Sequence, residues 1–124
     1  MTTWTSVELN TIGTADELQI AAVRADGTLR KPVIIWVVRL GDELYVRSVN
    51  GRTSAWFRGV QERHAGHIRA GGVAKDVTFV EEPDAALNDR LDELYHKKYS
   101  RYPSSVEHIN SAAARTAAIR LMPR

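Results

Sequence analysis

The sequence predicts an α+β fold: a six-stranded antiparallel sheet closed into a small barrel, with helices flanking it. Three observations predict it. Short segments carry the two-residue period of strands, tight glycine turns join them as hairpins, and one long segment near the C-terminal end carries a single apolar stripe at helical spacing. At 124 residues the chain has the length of one domain, so residues 1–124 are expected to share one core.

Thr5 and Glu8 have the spacing of a capping box, and Trp4 and Leu9 that of a hydrophobic staple, which predicts a short helix over Thr5–Thr11 stopped by Gly13. Residues Leu18–Val23 follow as a strand, turned by Asp26-Gly27. Pro32 opens the next strand, and Val33–Val38 is apolar on both faces, as expected of a segment covered on both sides. Gly41-Asp42 supplies a hairpin turn that pairs this strand with the one containing Leu44. Gly71-Gly72 joins a strand around His67–Ala70 to a longer one over Val73–Val80. Pro83 suits the first position of a helix whose stripe is Leu87, Leu91, Leu94, Tyr95, Tyr99 and Tyr102, ended by Pro103. Ser104 and Glu107 then cap a short helix through Asn110, and Thr116–Leu121 reads as the last strand.

Composition excludes several function classes. With 17 Lys and Arg against 15 Asp and Glu, the net charge of +2 gives no general attraction to nucleic acid. The absence of cysteine removes disulfides, thiolate metal sites and a thiol nucleophile. No segment approaches the ~20 apolar residues of a membrane helix, and the opening MTTWTSVELN lacks a signal-peptide pattern, so the expectation is a cytoplasmic protein with no membrane partner. His64 and His67 have a metal-like gap but no acidic cluster beside them, so no metal site is assigned. Neither a nucleophile elbow nor a phosphate loop nor a dinucleotide fingerprint is present. Tyr95, Lys97, Lys98, Tyr99, Arg101 and Tyr102 mix aromatic and basic side chains, but their spacing puts the tyrosines on the buried stripe and the lysines outside it, so no nucleic-acid partner is expected.

The segment Glu43–Arg58 concentrates the remaining chemistry: a strand, an Asn50-Gly51 turn bearing Arg52, and a helix opening with Ser54 and carrying Trp56 and Phe57. Amides at a helix start, nearby guanidinium groups and a flat aromatic surface suit a planar ligand with an anionic tail. Strand alternation puts Tyr45, Arg47 and Val49 on one face and Leu44, Val46 and Ser48 on the other. Arg47 is read either as a phosphate partner across a subunit interface or as a solvated arginine, Arg52 either as an anion contact or as a turn residue. Trp56 either walls a ligand or packs the helix onto the barrel together with Val60. Trp36 is read as core or interface.

The stretch DELYVRSVNGRTSAWFRGV resembles the region where deazaflavin-dependent nitroreductases pass from a strand ending in serine, through a glycine turn, to a helix beginning with an aromatic pair. The course from LQIAAVRADGTLRKPVIIWVVR to GGVAKDVTFV is similar to a small bacterial family of unknown function related to those reductases. The resemblance implies a flavin-binding split β-barrel of the flavin-reductase and pyridoxamine-phosphate-oxidase kind. It also implies a homodimer, a deazaflavin or FMN cofactor at the subunit interface, and hydride transfer to a small organic acceptor. By position it places Ser48, Asn50, Gly51, Arg52, Ser54, Trp56 and Phe57 on the cofactor-binding turn and helix start, and Arg30 and Lys31 near the basic loop. The reductases carry a longer Gly-Arg-Lys-Ser-Gly-like loop than Thr28–Pro32 here, which motivates a second reading: a binding module for a small anionic metabolite on a barrel that has lost its redox cofactor. A cofactor-free isomerase or cyclase using the same cavity is neither supported nor excluded.

Overall fold

The computed structural model describes residues 3–124. The strands are β1 (Leu18–Ala22), β2 (Val33–Ile35), β3 (Val37–Leu40), β4 (Glu43–Arg47), β5 (Ala65–Ala70), β6 (Val73–Glu81) and β7 (Ala118–Pro123). The helices are α1 (Ser6–Thr14), α2 (Ala55–Arg63), α3 (Ala85–Lys98), α4 (Pro103–Ile109) and α5 (Ala112–Arg115). All strands belong to one sheet in the order β2-β1-β5-β6-β7-β4-β3, and every pairing is antiparallel. Its two edge strands, β2 and β3, are separated in the chain by Trp36 alone. Consecutive Cα atoms lie 3.8 Å apart, so edges joined by one residue must adjoin, and the sheet is forced to curl into a nearly closed barrel.

That junction corrects the strand count from six to seven. The run Val33–Val38 is two strands: Ile35 pairs with Leu18 of β1, whereas Val37 pairs with Val46 of β4. A continuously apolar run has no alternation to show where the chain changes partner. Burial on both faces holds at Val37 and Val38, while Ile34 on β2 is 58% exposed.

Alternation on β4 builds two cores. Leu44 and Val46 point into the barrel with Leu18, Ile20, Val37, Ile68, Phe79 and Ile119, closed by Leu9 and Ile12 of α1 and Phe57 and Val60 of α2. Tyr45 points outward with Val38 and Ala118, beneath Leu91, Tyr95 and Tyr99 of the α3 segment and Val106 and Ile109 of α4.

The capping box is present: Glu8 N donates to Thr5 Oγ1 (3.1 Å) and Thr5 N to Glu8 Oε1 (2.9 Å). Trp4 is buried and its indole N–H donates to the Leu121 carbonyl at 3.0 Å, tying α1 to β7. Gly13 does not stop α1, which runs to Thr14. A Cβ at Gly13 would lie 3.1 Å from Arg39 Cβ, so the glycine serves close packing on β3. Gly41 has φ +61°, as the β3–β4 hairpin requires.

Two proline assignments change. Pro83 lies outside α3, whose N-cap is Asp84, accepting from Leu87 N at 2.7 Å. Pro103 does not end the long helix; α3 stops at Lys98, and Pro103 occupies the first turn of α4, where its missing N–H costs nothing. Tyr102 consequently leaves the buried stripe and is 47% exposed. Ser104 provides no cap to α4, since the N-cap position falls at Tyr102 without a side-chain bond. α5 was not foreseen; Ser111 caps it through Ala114 N at 3.3 Å. Among the described residues, no helix is long and apolar enough to cross a membrane.

Candidate functional site

Two adjoining cavities open where β2, the end of β4 and the start of α2 meet. The first, about 320 Å³, is lined by Val33, Ile34, Ile35 and Trp36 on one side and by Ser48, Val49, Asn50, Ser54 and Trp56 on another, with Ser105, His108 and Ile109 of α4 completing the wall. The second, about 440 Å³, lies between β1 and α2 and is bordered by Arg24, Arg30, Lys31, Pro32 and Ala55. Val33 and Trp56 border both. Apolar side chains dominate the first cavity, and among the described residues no carboxylate lines it. The second places Arg24, Arg30 and Lys31 beside an apolar lining of Ile20, Ala22, Pro32, Val33, Ala55 and Trp56.

Local bonding explains the shape at the helix start. Gly51, at φ +77°, opens a 3-10 turn over Gly51–Thr53 and packs closely on Ala113, 3.2 Å from where a Cβ would lie. Ser54 is the N-cap of α2 but makes no side-chain cap bond. Its hydroxyl instead shares a 2.7 Å hydrogen bond with the Ser48 hydroxyl. The first-turn amides of this nine-residue helix are therefore left without a side-chain acceptor beside the cavities.

The sequence-derived site separates into residues that meet and residues that do not. Ser48, Asn50, Ser54 and Trp56 line the first cavity, and Arg30 and Lys31 the second, next to Trp56. Arg30 Nη2 is paired with Glu62 Oε2 at 2.9 Å, while its Nε is buried and has no partner among the described residues. A Cβ on Gly59 would sit 2.8 Å from that Nε, so glycine in α2 is what allows the guanidinium to lie across the helix.

Arg47 is neither solvated nor available to a phosphate. It borders the first cavity, yet its side chain is wholly buried. Nη1 donates to Asp92 Oδ1 (2.6 Å), Asn110 Oδ1 (3.0 Å) and the Ile109 carbonyl (3.2 Å), and Nη2 to the carbonyl and side-chain oxygens of Asn88 (both 2.9 Å). Asp92 also pairs with Arg115. Arg47 thus fastens β4 to α3 and α4. Arg52 points away as well: its Nη1 donates to Glu81 Oε1 and the Thr116 carbonyl, both at 2.8 Å, and its guanidinium lies 5.2 Å over the Phe57 ring. Phe57 itself is fully buried in the barrel core. The two guanidinium groups near the Asn50-Gly51 turn therefore do not converge on an anion; the basic patch lies on the other side of Trp56.

Trp36, Ile34, Val49, Ser105 and His108 complete the site and were not assigned to it from sequence. Ser105 and His108 share a face of α4 at three-residue spacing, a weak signal, and Trp36 was hidden inside the apolar run.

Behind the first cavity lies an aromatic layer with perturbed titration. Burial pushes the Tyr99 hydroxyl up to about 12 and also raises that of Tyr95. Burial pulls the Lys98 ammonium down to about 8, where it donates to the Ala15 and Val37 carbonyls at 2.7 Å each. The folded protein releases the Lys98 proton before the unfolded chain does, so stability rises as pH climbs from about 8 towards 10.5. The tyrosines act oppositely, since the unfolded chain ionises first, and stability falls above pH 10. Thermal melts are expected to peak near pH 10, with the rise absent in Lys98→Met; a wild-type melting temperature flat from pH 8 to 11 would contradict these shifts.

The chain belongs to the family described as "Uncharacterized protein conserved in bacteria (DUF2255)", which matches residues 8–121. No curated protein matches the sequence. Among solved structures, a conserved hypothetical protein from Mycobacterium tuberculosis is similar at a TM-score of 0.73 and 10% identity, over 98% of this chain and 81% of that one. A putative pyridoxamine 5'-phosphate oxidase from Listeria innocua gives 0.67 and 14% identity, over 94% and 90%. An F420-H2 dependent reductase gives 0.63 and 14% identity, over 86% and 93%. At these identities the likeness is one of fold, that of a split β-barrel.

Proposed function

We propose that this protein binds a planar redox cofactor with an anionic tail, FMN or a deazaflavin, and uses it to reduce a small organic acceptor. The observation that carries the reading is the meeting, at Val33 and Trp56, of a largely apolar cavity with one whose border includes Arg24, Arg30 and Lys31. A flat ring is favoured in the first by burial of apolar surface, and a phosphate in the second by Arg24, Arg30 and Lys31. The residues fit such a group: Arg30 Nε is an unspent buried donor, the α2 amides lack a cap, and Gly59 makes room for the guanidinium. Likeness of fold to a putative pyridoxamine 5'-phosphate oxidase and to an F420-H2 dependent reductase supports the cofactor class.

The bound cofactor would supply the hydride chemistry. The chain's own part is to hold and shield it: Ile35, Trp36 and Trp56 exclude water from the ring, and Ser48 and Ser54 fix the helix start. The lack of a carboxylate in the first cavity is compatible with that division of labour. Exposed Ile34 (58%) and Val49 (43%) at its rim support a homodimer in which a second copy covers this side. The alternative, a binding module for a small anionic metabolite, draws on the short, glycine-poor loop Thr28–Pro32, which carries Arg30 and Lys31 to the second cavity.

Absorbance titrations with FMN and with riboflavin separate these readings. The redox-cofactor reading expects both to bind, FMN about tenfold tighter, and Arg30→Ala to remove most of that phosphate advantage. Binding of small phosphates without any binding of the ring compounds would favour the metabolite module instead.

A further inference from the structure

Trp36 occupies the break between β2 and β3, is half-buried, and borders the first cavity. One face of its indole is covered by Tyr99, with ring centroids 3.8 Å apart and planes 3° from parallel, while Tyr102 approaches at 6.0 Å, tilted by 36°. We infer that the opposite face of Trp36 is the platform on which the planar part of the ligand stacks, an inference that rests on the cofactor reading above.

The stack behind Trp36 is rigid. The Tyr99 hydroxyl donates to the Asp16 carbonyl at 2.8 Å and accepts from Val37 N at 3.3 Å, so the ring that backs Trp36 is fixed from two directions. Tyr95 continues the layer 6.2 Å beyond, fully buried, with the Arg47 guanidinium 5.4 Å over its ring. An indole held this way loses little rotamer freedom when a ligand arrives, which makes stacking more favourable than on a mobile side chain. A second aromatic wall, Trp56, borders the same cavity, held edge-on against Phe57 with centroids 6.0 Å apart. The electron-rich face of an indole prefers an electron-poor partner, so the ligand class selected is a fused, electron-deficient heteroaromatic ring rather than a sugar or an aliphatic acid. The cationic cavity beyond Trp56 then receives the tail, and Trp36 discriminates the ring alone.

The test pairs Trp36→Leu and Trp36→Phe with three probes: FMN, riboflavin and inorganic phosphate, followed by fluorescence and calorimetry, with circular dichroism confirming that each variant is folded. Trp36→Leu is expected to weaken FMN and riboflavin alike by about tenfold. Trp36→Phe is expected to restore most of that loss, and phosphate affinity to stay unchanged in both. Wild-type-like affinity of Trp36→Leu for both ring compounds overturns the inference and leaves the cofactor reading standing. Failure of the wild-type protein to bind FMN, riboflavin and a deazaflavin tested alongside them overturns both together.

Discussion

Arg47→Met is expected to lower unfolding free energy by about 3–5 kcal/mol, the cost of breaking a buried ion pair from one side. The substitution removes the donor to Asp92, Asn110, Asn88 and the Ile109 carbonyl at once, so the Asn88 and Asn110 side-chain oxygens lose their donor beneath α3 and α4. Methionine fills much of the volume and covers Tyr95, so the deficit is chiefly polar. Arg115 still pairs with Asp92, which limits the loss. Since α4 carries Ser105, His108 and Ile109 into the first cavity, ligand affinity should fall with stability. Urea unfolding measures the effect; a change below about 1 kcal/mol would place Arg47 among ordinary surface ion pairs.

Gly66→Ala should cost about 3 kcal/mol, at the upper end for overpacking. A Cβ at this position would lie 2.3 Å from the Ala21 carbonyl oxygen and 2.8 Å from the Phe79 ring. The phenyl ring can turn, but Ala21 belongs to the β1–β5 ladder, in which Gly66 faces Ala22, so relief requires the strands to part. A melting temperature within about 2 °C of the wild type would show that the barrel relaxes at this point far more easily than close-packed interiors do.

Much of the architecture was legible because local rules and tertiary demands agree. The Thr5–Glu8 box, the Gly41-Asp42 and Gly71-Gly72 turns, and the alternation of Leu44, Tyr45 and Val46 each point to what the structure contains. Failures cluster where a residue has two physically sound readings. Proline serves both as a helix stop and as a first-turn residue, which is why Pro103 was placed at the wrong end. Gly13 was read for its backbone freedom but is used for its small size. The uniform run Val33–Val38 concealed a change of partner at Trp36, and with it the aromatic wall of the site.

The lining of the candidate cavities was half legible. Adjacent positions brought Ser48, Asn50, Ser54 and Trp56 together, because a strand, a tight turn and a helix start hold near neighbours in one place. Guanidinium groups obey no such constraint. Arg47 and Arg52 sit on long side chains whose direction is decided by Asp92 and Glu81, 45 and 29 residues away in sequence. Arg30 and Lys31, expected to assist, border the cationic cavity instead.

We propose that one ligand spans both cavities across Trp56, ring towards β2 and tail towards Lys31. Amide and indole NMR spectra titrated with FMN test it most directly. The largest shifts should fall on the indole signals of Trp36 and Trp56 and on the amides of Lys31 and Ala55, with Gly71 and Gly72 at the distant hairpin unmoved. Shifts confined to that hairpin, or none at millimolar FMN, would contradict it.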